Sequence, residues 1–315
     1  MLPATLVTLF LLFPLFGDRF YIQFASKIII MIIFASSLNL LVGYTGLVSL
    51  GHAAFFGFSG YVVALLTPVD EPLNFFVALG SSIFFVGVLG AVIGALVLRT
   101  KGIFFIMSTL AFGEMLFYFL HDTTLAGGSD GIFISHRPVL RFFDIFQVDL
   151  ANSIHFYYVT FLSLLLVLIL IKSILNSPFG RIIQAIKINE NRAQALGYNT
   201  YKLKFLCFLV ASMIAAFSGF LSAIQFGAVN PEMVGWHVSG HALMMVILGG
   251  LGTLAGPILG ATTLMLIEEI FQQTTKHWQL FTGLVVIMVA LFLPKGLAGV
   301  RISRDEPAVK NRGEG

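Results

Sequence analysis

Between Leu73 and Leu98 the chain runs for 26 residues without an acidic or basic side chain, and comparable runs recur along its length. A helix rises 1.5 Å per residue, so about 20 such residues cross a hydrocarbon core about 30 Å thick. Of the 315 residues, 58% are hydrophobic and 10% charged. That balance excludes a water-soluble domain and leaves an all-α polytopic membrane protein. The apolar runs predict about ten transmembrane helices, at 3–16, 20–42, 46–66, 73–98, 102–121, 153–175, 203–226, 237–253, 255–273 and 276–294. Residues 1–300 then form a single transmembrane domain, with a polar loop at 177–204, followed by a tail at 301–315. The first run is short and holds Pro3 and Pro14. With no base ahead of it and no small-residue cleavage site, it is expected to stay as a span rather than leave as a signal peptide.

Charge sets the orientation. Arg99 and Lys101, the loop 177–204, and the tail with Lys295, Arg301, Arg304, Lys310 and Arg312 carry bases, and short basic loops are retained in the cytoplasm. Ten spans put all of these on one side, with both termini cytoplasmic. Asp70 and Glu71, the 122–152 loop and the 227–236 turn then share the other side. The net charge of +3 belongs to cytoplasm-facing loops, so no nucleic-acid surface is read from it. The lone Cys207 excludes an internal disulfide and a cysteine metal cluster.

The loop reads SPFGRIIQAIKINENRAQALGYNTYKLK, with Arg181, Lys187, Arg192, Lys202 and Lys204 against Glu190 alone. Ser177 suits an N-cap, Pro178 the first helical position, and Gly197 the left-handed residue beyond a C-terminus. Ile182, Ile186, Asn189, Ala193 and Leu196 recur at helical spacing, which predicts one helix from Pro178 to Leu196 with a modest apolar stripe. Such a rod lies on a membrane or is gripped by a partner.

Gly43, Gly46, Gly51, Gly57 and Gly60 interrupt what is otherwise one apolar helix. A break at membrane depth lines a cavity, or it lets helices approach closely, and the pattern fits both. Polar residues within the spans are Asn39, Ser49, His52, Glu114, Gln225, His241, Glu268 and Glu269. Of these Asn39, Ser49, His52 and Glu114, with Gly46 and Gly51, are candidates for a translocation path. Halves of five spans each would be inverted, but they share only Gly-punctuated turns, GYTGLVSLGHAAFFGFSG and LGGLGTLAGPILG. No phosphate-binding G-x-x-x-x-G-K-[ST] run occurs. Two other classes stay open. An ion-coupled secondary transporter would use Glu114, and an intramembrane serine protease would pair Ser59 with His241.

The stretch SPFGRIIQAIKINENRAQALGYNTYKLKFLCFLVASMIAAFSGFL resembles the cytoplasmic-loop region of LivM-type permeases, which serve bacterial ABC importers of branched-chain amino acids. Further matches in order are SSLNLLVGYTGLVSLGHAAFFGFSGYVVALL, LRTKGIFFIMSTLAFGEM, LAGGSDGI, VNPEMVGWHVSGHALMMVILGGLGTLAGPILGATTL and LFLPKGLAGV. The family's loop signature, roughly R-E-N-E-x-A-A-E-A-L-G, is met at Asn189, Glu190, Ala193, Ala195, Leu196 and Gly197; Lys187, Ile188 and Arg192 depart from it. The resemblance implies a non-catalytic permease subunit in the bacterial inner membrane. It would work with two ABC ATPase subunits, a second homologous permease and an extracytoplasmic solute-binding protein. No cofactor is expected on this chain, and ATP and magnesium would be held by the ATPases. The loop would be the coupling element, through Gly180, Arg181, Ile182, Ala185, Ile186, Lys187, Glu190, Ala193, Leu196 and Gly197. Ile182, Ile186 and Ala193 would enter an ATPase groove, with Arg181, Lys187 and Glu190 at its rim.

Overall fold

A computed structural model describes residues 14, 18–68, 71–142, 146–293 and 296–302. Apart from Pro14, the span expected at 3–16 lies outside the described residues, as does the tail from 303 onward. Helix α1 (Arg19–Asn39) is apolar on nearly every side and buried over most of its length, which places it at the centre of a bundle. Its last turn widens into a π-helical segment, Leu40–Thr45, that stops at Gly46 with φ +77°. Only glycine adopts that left-handed backbone without cost. After the non-helical stretch 46–52 the chain resumes as α2 (Ala53–Leu66), followed by α3 (Phe75–Val97), α4 (Ile103–Asp122) and α5 (Ser153–Asn176). Two loop helices, α6 (Pro178–Ile188) and α7 (Glu190–Ala195), lead to α8 (Thr200–Phe226). The rest is α9 (Trp236–Gly249), α10 (Gly256–Thr274), α11 (Trp278–Phe292) and α12 (Gly296–Ile302). Helix α1 packs against α5, α8, α9 and α10, while α2 and α3 pack on α8.

Among the described residues five helices are long and apolar enough to cross a membrane: α1 with its π-helical end, α3, α4, α5 and α8. The runs expected at 46–66, 237–253 and 276–294 instead hold helices of 14, 14 and 15 residues. Glycine breaks fall inside the first two runs, at Gly46 and Gly250, so apolar length there overstates helix length, and the third run holds a helix only from Trp278 to Phe292. Side-chain caps mark the starts of α3, α5 and α8, as of the two loop helices. Asn74 accepts from the Phe76 amide at 2.9 Å, Asn152 from Ile154 at 3.0 Å and Asn199 from Lys202 at 3.1 Å, each satisfying an amide left free at a helix N-terminus.

The 27 residues of α8 span about 40 Å, and its two ends gather different loops. Beyond Phe226, strand β1 (Ile132–Phe133) pairs antiparallel with β4 (Ala228–Val229), the intervening β2 (Leu140–Phe142) and β3 (Phe146–Val148) forming their own hairpin. Arg137 donates to the Gln225 carbonyl at 3.2 Å. At the Thr200 end, Glu190 accepts from Lys204 at 2.7 Å and lies 3.9 Å from Lys101. The 122–152 and 227–236 segments thus meet at one end of the bundle and the 99–101 and 177–204 segments at the other, the grouping that loop charge predicted.

Candidate functional site

Two helix breaks face each other inside the bundle. The first is the π-helical end of α1 with the stretch 46–52, and the second is the turn 250–255 between α9 and α10, where Gly250 and Gly252 have positive φ. Backbone groups freed at such breaks have no water inside a bilayer and need protein partners. Asn39, 2% exposed, supplies them across the gap. Its Nδ2 donates to the Thr253 carbonyl at 2.9 Å and its Oδ1 accepts from the Gly252 amide at 3.0 Å. Within the first break, the Leu47 amide donates to the Leu41 carbonyl at 3.0 Å, the Leu50 amide to Thr109 Oγ1 at 3.3 Å and the Ala53 amide to Ser239 Oγ at 2.8 Å. Within the second, Thr253 Oγ1 donates to the Gly250 carbonyl and accepts from the Gly256 amide, both at 3.0 Å. At Gly43 a Cβ would strike the backbone of Gly252, which is why the two turns touch only as glycines.

Helix α6 reaches this junction. Lys187 Nζ donates to the Gly43 carbonyl at 2.5 Å, and its aliphatic stem lies against Gly46. The single helix expected from Pro178 to Leu196 is two helices. Asn189 sits in extended backbone, φ −157° and ψ 100°, and its side chain caps α7 through the Arg192 amide at 3.0 Å. An Asn followed by an acid is itself an N-cap signal, and here it wins over continuation of α6. Ser177 accepts from the Gly180 amide at 3.2 Å, Pro178 opens α6, and Gly197 has φ +88°, as read from the sequence.

The break also resets the stripe. Gly180, Ile186 and Ala193 are buried against this chain, Ile182 is half-buried, and Arg181, Ala185 and Asn189 are exposed. Residues buried at home cannot also fill a partner's groove, so Ile186 and Ala193 anchor the loop to its own bundle. Large apolar groups left in solvent on this loop include Ile188, 86% exposed, Leu196, 72% exposed, and Tyr198. Burial alone would raise the Glu190 carboxyl, but the Lys204 and Lys101 ammonium groups outweigh it and hold its pKa below the usual carboxylate range. That pairing fixes α7 to the start of α8.

The other path candidates divide. Gly51 and His52 are packing elements: a Cβ at Gly51 would run into the Thr109 carbonyl. The His52 ring is fully buried, bonded to Ser37 at 2.8 Å and stacked on Phe34. Ser49 is fully buried beside them. Glu114 accepts from the Trp236 amide at 3.3 Å and so caps α9. Ser59 gives its proton to the Ala216 carbonyl at 2.6 Å, whereas His241 bonds Glu268 at 2.7 Å. The serine and histidine of the protease reading therefore have separate partners.

A polar residue outside the candidates is Lys27, in the third turn of α1, exposed between the buried Ser26 and Ile28. It lines a cavity of about 550 Å3 that also holds His241, Glu268, Gln225 and Thr282. None of the six path candidates lines this cavity. A lone base within the 20–42 run was the available signal, and it was passed over because the run as a whole is apolar.

The sequence matches the family model described as branched-chain amino acid transport system / permease component over residues 20–290. The high-affinity branched-chain amino acid transport system permease protein LivM of Escherichia coli K12 is 28% identical, covering 98% of this chain and 76% of that protein. LivM of Salmonella typhimurium LT2 is also 28% identical, over 90% of this chain and 71% of that one. LivH of Escherichia coli K12, a permease of the same system by name, is 29% identical over 45% of each chain. No solved structure matches. With the family model covering most of the sequence and the LivM relatives agreeing, this chain belongs to the permease-component family of branched-chain amino acid transport systems.

Proposed function

We propose that this chain forms half of the translocation path of an ATP-driven importer for branched-chain amino acids and carries the lever that couples the path to ATPase subunits on other chains. The observation that carries the reading is Lys187: it joins a surface helix at the basic end of the bundle to the carbonyl of Gly43, at the junction of two helix breaks. A movement imposed on α6 is thereby delivered to the π-helical end of α1, beside the break at Gly46. Ile188, Leu196 and Tyr198 form the contact offered to an ATPase. ATP and magnesium are bound on those partners, a second permease of similar fold completes the pore, and a solute-binding protein docks on the 122–152 and 227–236 end. In this reading ten segments enter the membrane, counting 3–16 and the four shorter or more polar helices, and both termini are cytoplasmic.

The test is uptake of labelled leucine by the assembled importer in vesicles, with co-purification of the ATPases measured alongside. Ile188→Asp is expected to abolish ATPase co-purification and uptake together. Lys187→Met is expected to keep the ATPases bound while uptake falls at least tenfold. Normal uptake by both variants refutes the lever. Single cysteines in a Cys207→Ala background fix the orientation: an impermeant thiol reagent should label Ser129→Cys in intact cells and not Gln184→Cys.

A further inference from the structure

The cavity around Lys27 lies between α1, α8, α9, α10 and α11, towards the end of the bundle that carries the 227–236 turn. Its walls mix apolar side chains, Ile30, Met31, Val238, Met244 and Met265 among them, with polar ones such as Gln225, Gln272, Gln279 and Thr282, and its volume of about 550 Å3 is ample for one small solute. Two charged groups interrupt those walls. Lys27 has no ion pair or hydrogen bond among the described residues. The Glu268 carboxylate in the same cavity is oriented by His241, whose Nε2 lies 2.7 Å from Oε1, and no lysine or arginine pairs with it among the described residues. Bringing a cation and a carboxylate into an apolar bundle is expensive, and an ion pair between the two would offset it most directly. Lys27 and Glu268 both line the cavity, yet among the described residues they form no ion pair with each other.

We infer that this cavity is a binding station for a zwitterionic amino acid with an aliphatic side chain, with Lys27 receiving the carboxylate, Glu268 the ammonium and the Ile30, Met31 and Met244 wall the side chain. The solute supplies the counter-charge that Lys27 lacks and a charged donor to Glu268 beside His241, so a ligand with both charges serves both groups where a simple anion or cation serves one. Methionine walls adapt to side chains of differing branching. His241 is a positioning residue: its bond holds one carboxylate oxygen and leaves the other for the ligand. This assignment rests on the importer reading and adds to it the place where cargo pauses, and none of its residues belongs to the break or to the lever.

The experiment uses the complete importer reconstituted in liposomes with its ATPases and binding protein, reading labelled leucine and valine moved per ATP hydrolysed. Lys27→Met and Glu268→Gln are each expected to lower leucine moved per ATP at least tenfold, with subunit co-purification and binding-protein-stimulated hydrolysis within twofold of wild type. Met244→Trp, which fills the cavity without touching either charge, is expected to reduce leucine transport several-fold more than valine transport. Full leucine transport by both charge variants overturns the assignment. So does a loss that follows subunit co-purification while Met244→Trp affects both amino acids equally. A wild-type assembly that moves neither amino acid refutes the importer reading, and the assignment falls with it.

Discussion

The glycine-rich stretch from Gly43 to Gly60 and the cavity beside Lys27 sit in one bundle and are made from opposite materials. The first is backbone with little side chain, and it is packed shut: Gly43 meets Gly252, Gly51 meets Thr109, and Gly57 meets Val234. The second is walled by long side chains, holds a lysine without an ion pair among the described residues and a glutamate bonded to a histidine, and stays open. In a bilayer, glycines report where backbones touch, because small residues bring helices together. An unmatched charge reports where water or solute must come, because hydrocarbon does not tolerate it. Between two readings of the glycines, the structure selects close packing for Gly51 and Gly57 and a joint between broken helices for Gly43.

The comparison is broken most forcefully at Asn39. Asn39→Ala leaves the Gly252 amide and the Thr253 carbonyl without partners, at about 1–3 kcal/mol for each buried group. Thermal unfolding in detergent should show the largest loss of stability of the variants considered, and wild-type stability would mean that the two breaks are not held to each other. A matched pair of glycine replacements comes next. Gly51→Ala forces a methyl into the Thr109 carbonyl and should destabilise by about 1–3 kcal/mol. Gly283→Ala, in α11 at the cavity, meets nothing within 4 Å. It should be neutral, or stabilise by up to about 1 kcal/mol through helix propensity. Equal effects at the two sites would erase the distinction between packed and open regions.

The smallest effect is expected at the basic end. Because the folded Glu190 carboxyl is held below its ordinary pKa, its contribution is present above the unfolded value and fades as pH falls through the lower folded value. Wild type should therefore exceed Glu190→Gln by about 0–1 kcal/mol at neutral pH. The two should converge in acid below the usual carboxylate range. A difference that grows on acidification would show that the lysines are not what holds this carboxylate.

Much of the architecture was legible because it follows from local chemistry. Apolar length marked α3, α4, α5 and α8, and loop charge sorted the segments onto the two ends that β1–β4 pairing and the Glu190 bridges then join. Caps were legible too, at Ser177, Pro178 and Gly197. The Pro178–Leu196 helix was read too long because apolar spacing happened to continue past Asn189, whose side chain serves the next helix instead of the stripe. The path candidates were polar residues within the apolar runs and glycines of the broken helix, and two of them, His52 and Ser49, are packed in the core. Lys27 was overlooked for the opposite reason, since its neighbours in sequence are apolar.

What the sequence by itself determined is therefore the class of solvent, the ends of the chain's loops and the existence of breaks: each depends on runs of residues and on what one residue type permits its own backbone. Which break meets which, that Asn39 spans them, that Lys187 reaches Gly43, and that Lys27 and Glu268 share a cavity without touching were decided only by tertiary structure. Those contacts join positions as far apart as 39 with 252, 43 with 187, and 27 with 268. No local propensity encodes such pairs, because the energy of a buried hydrogen bond or an unpaired charge exists only once the partner's place has been filled or left empty.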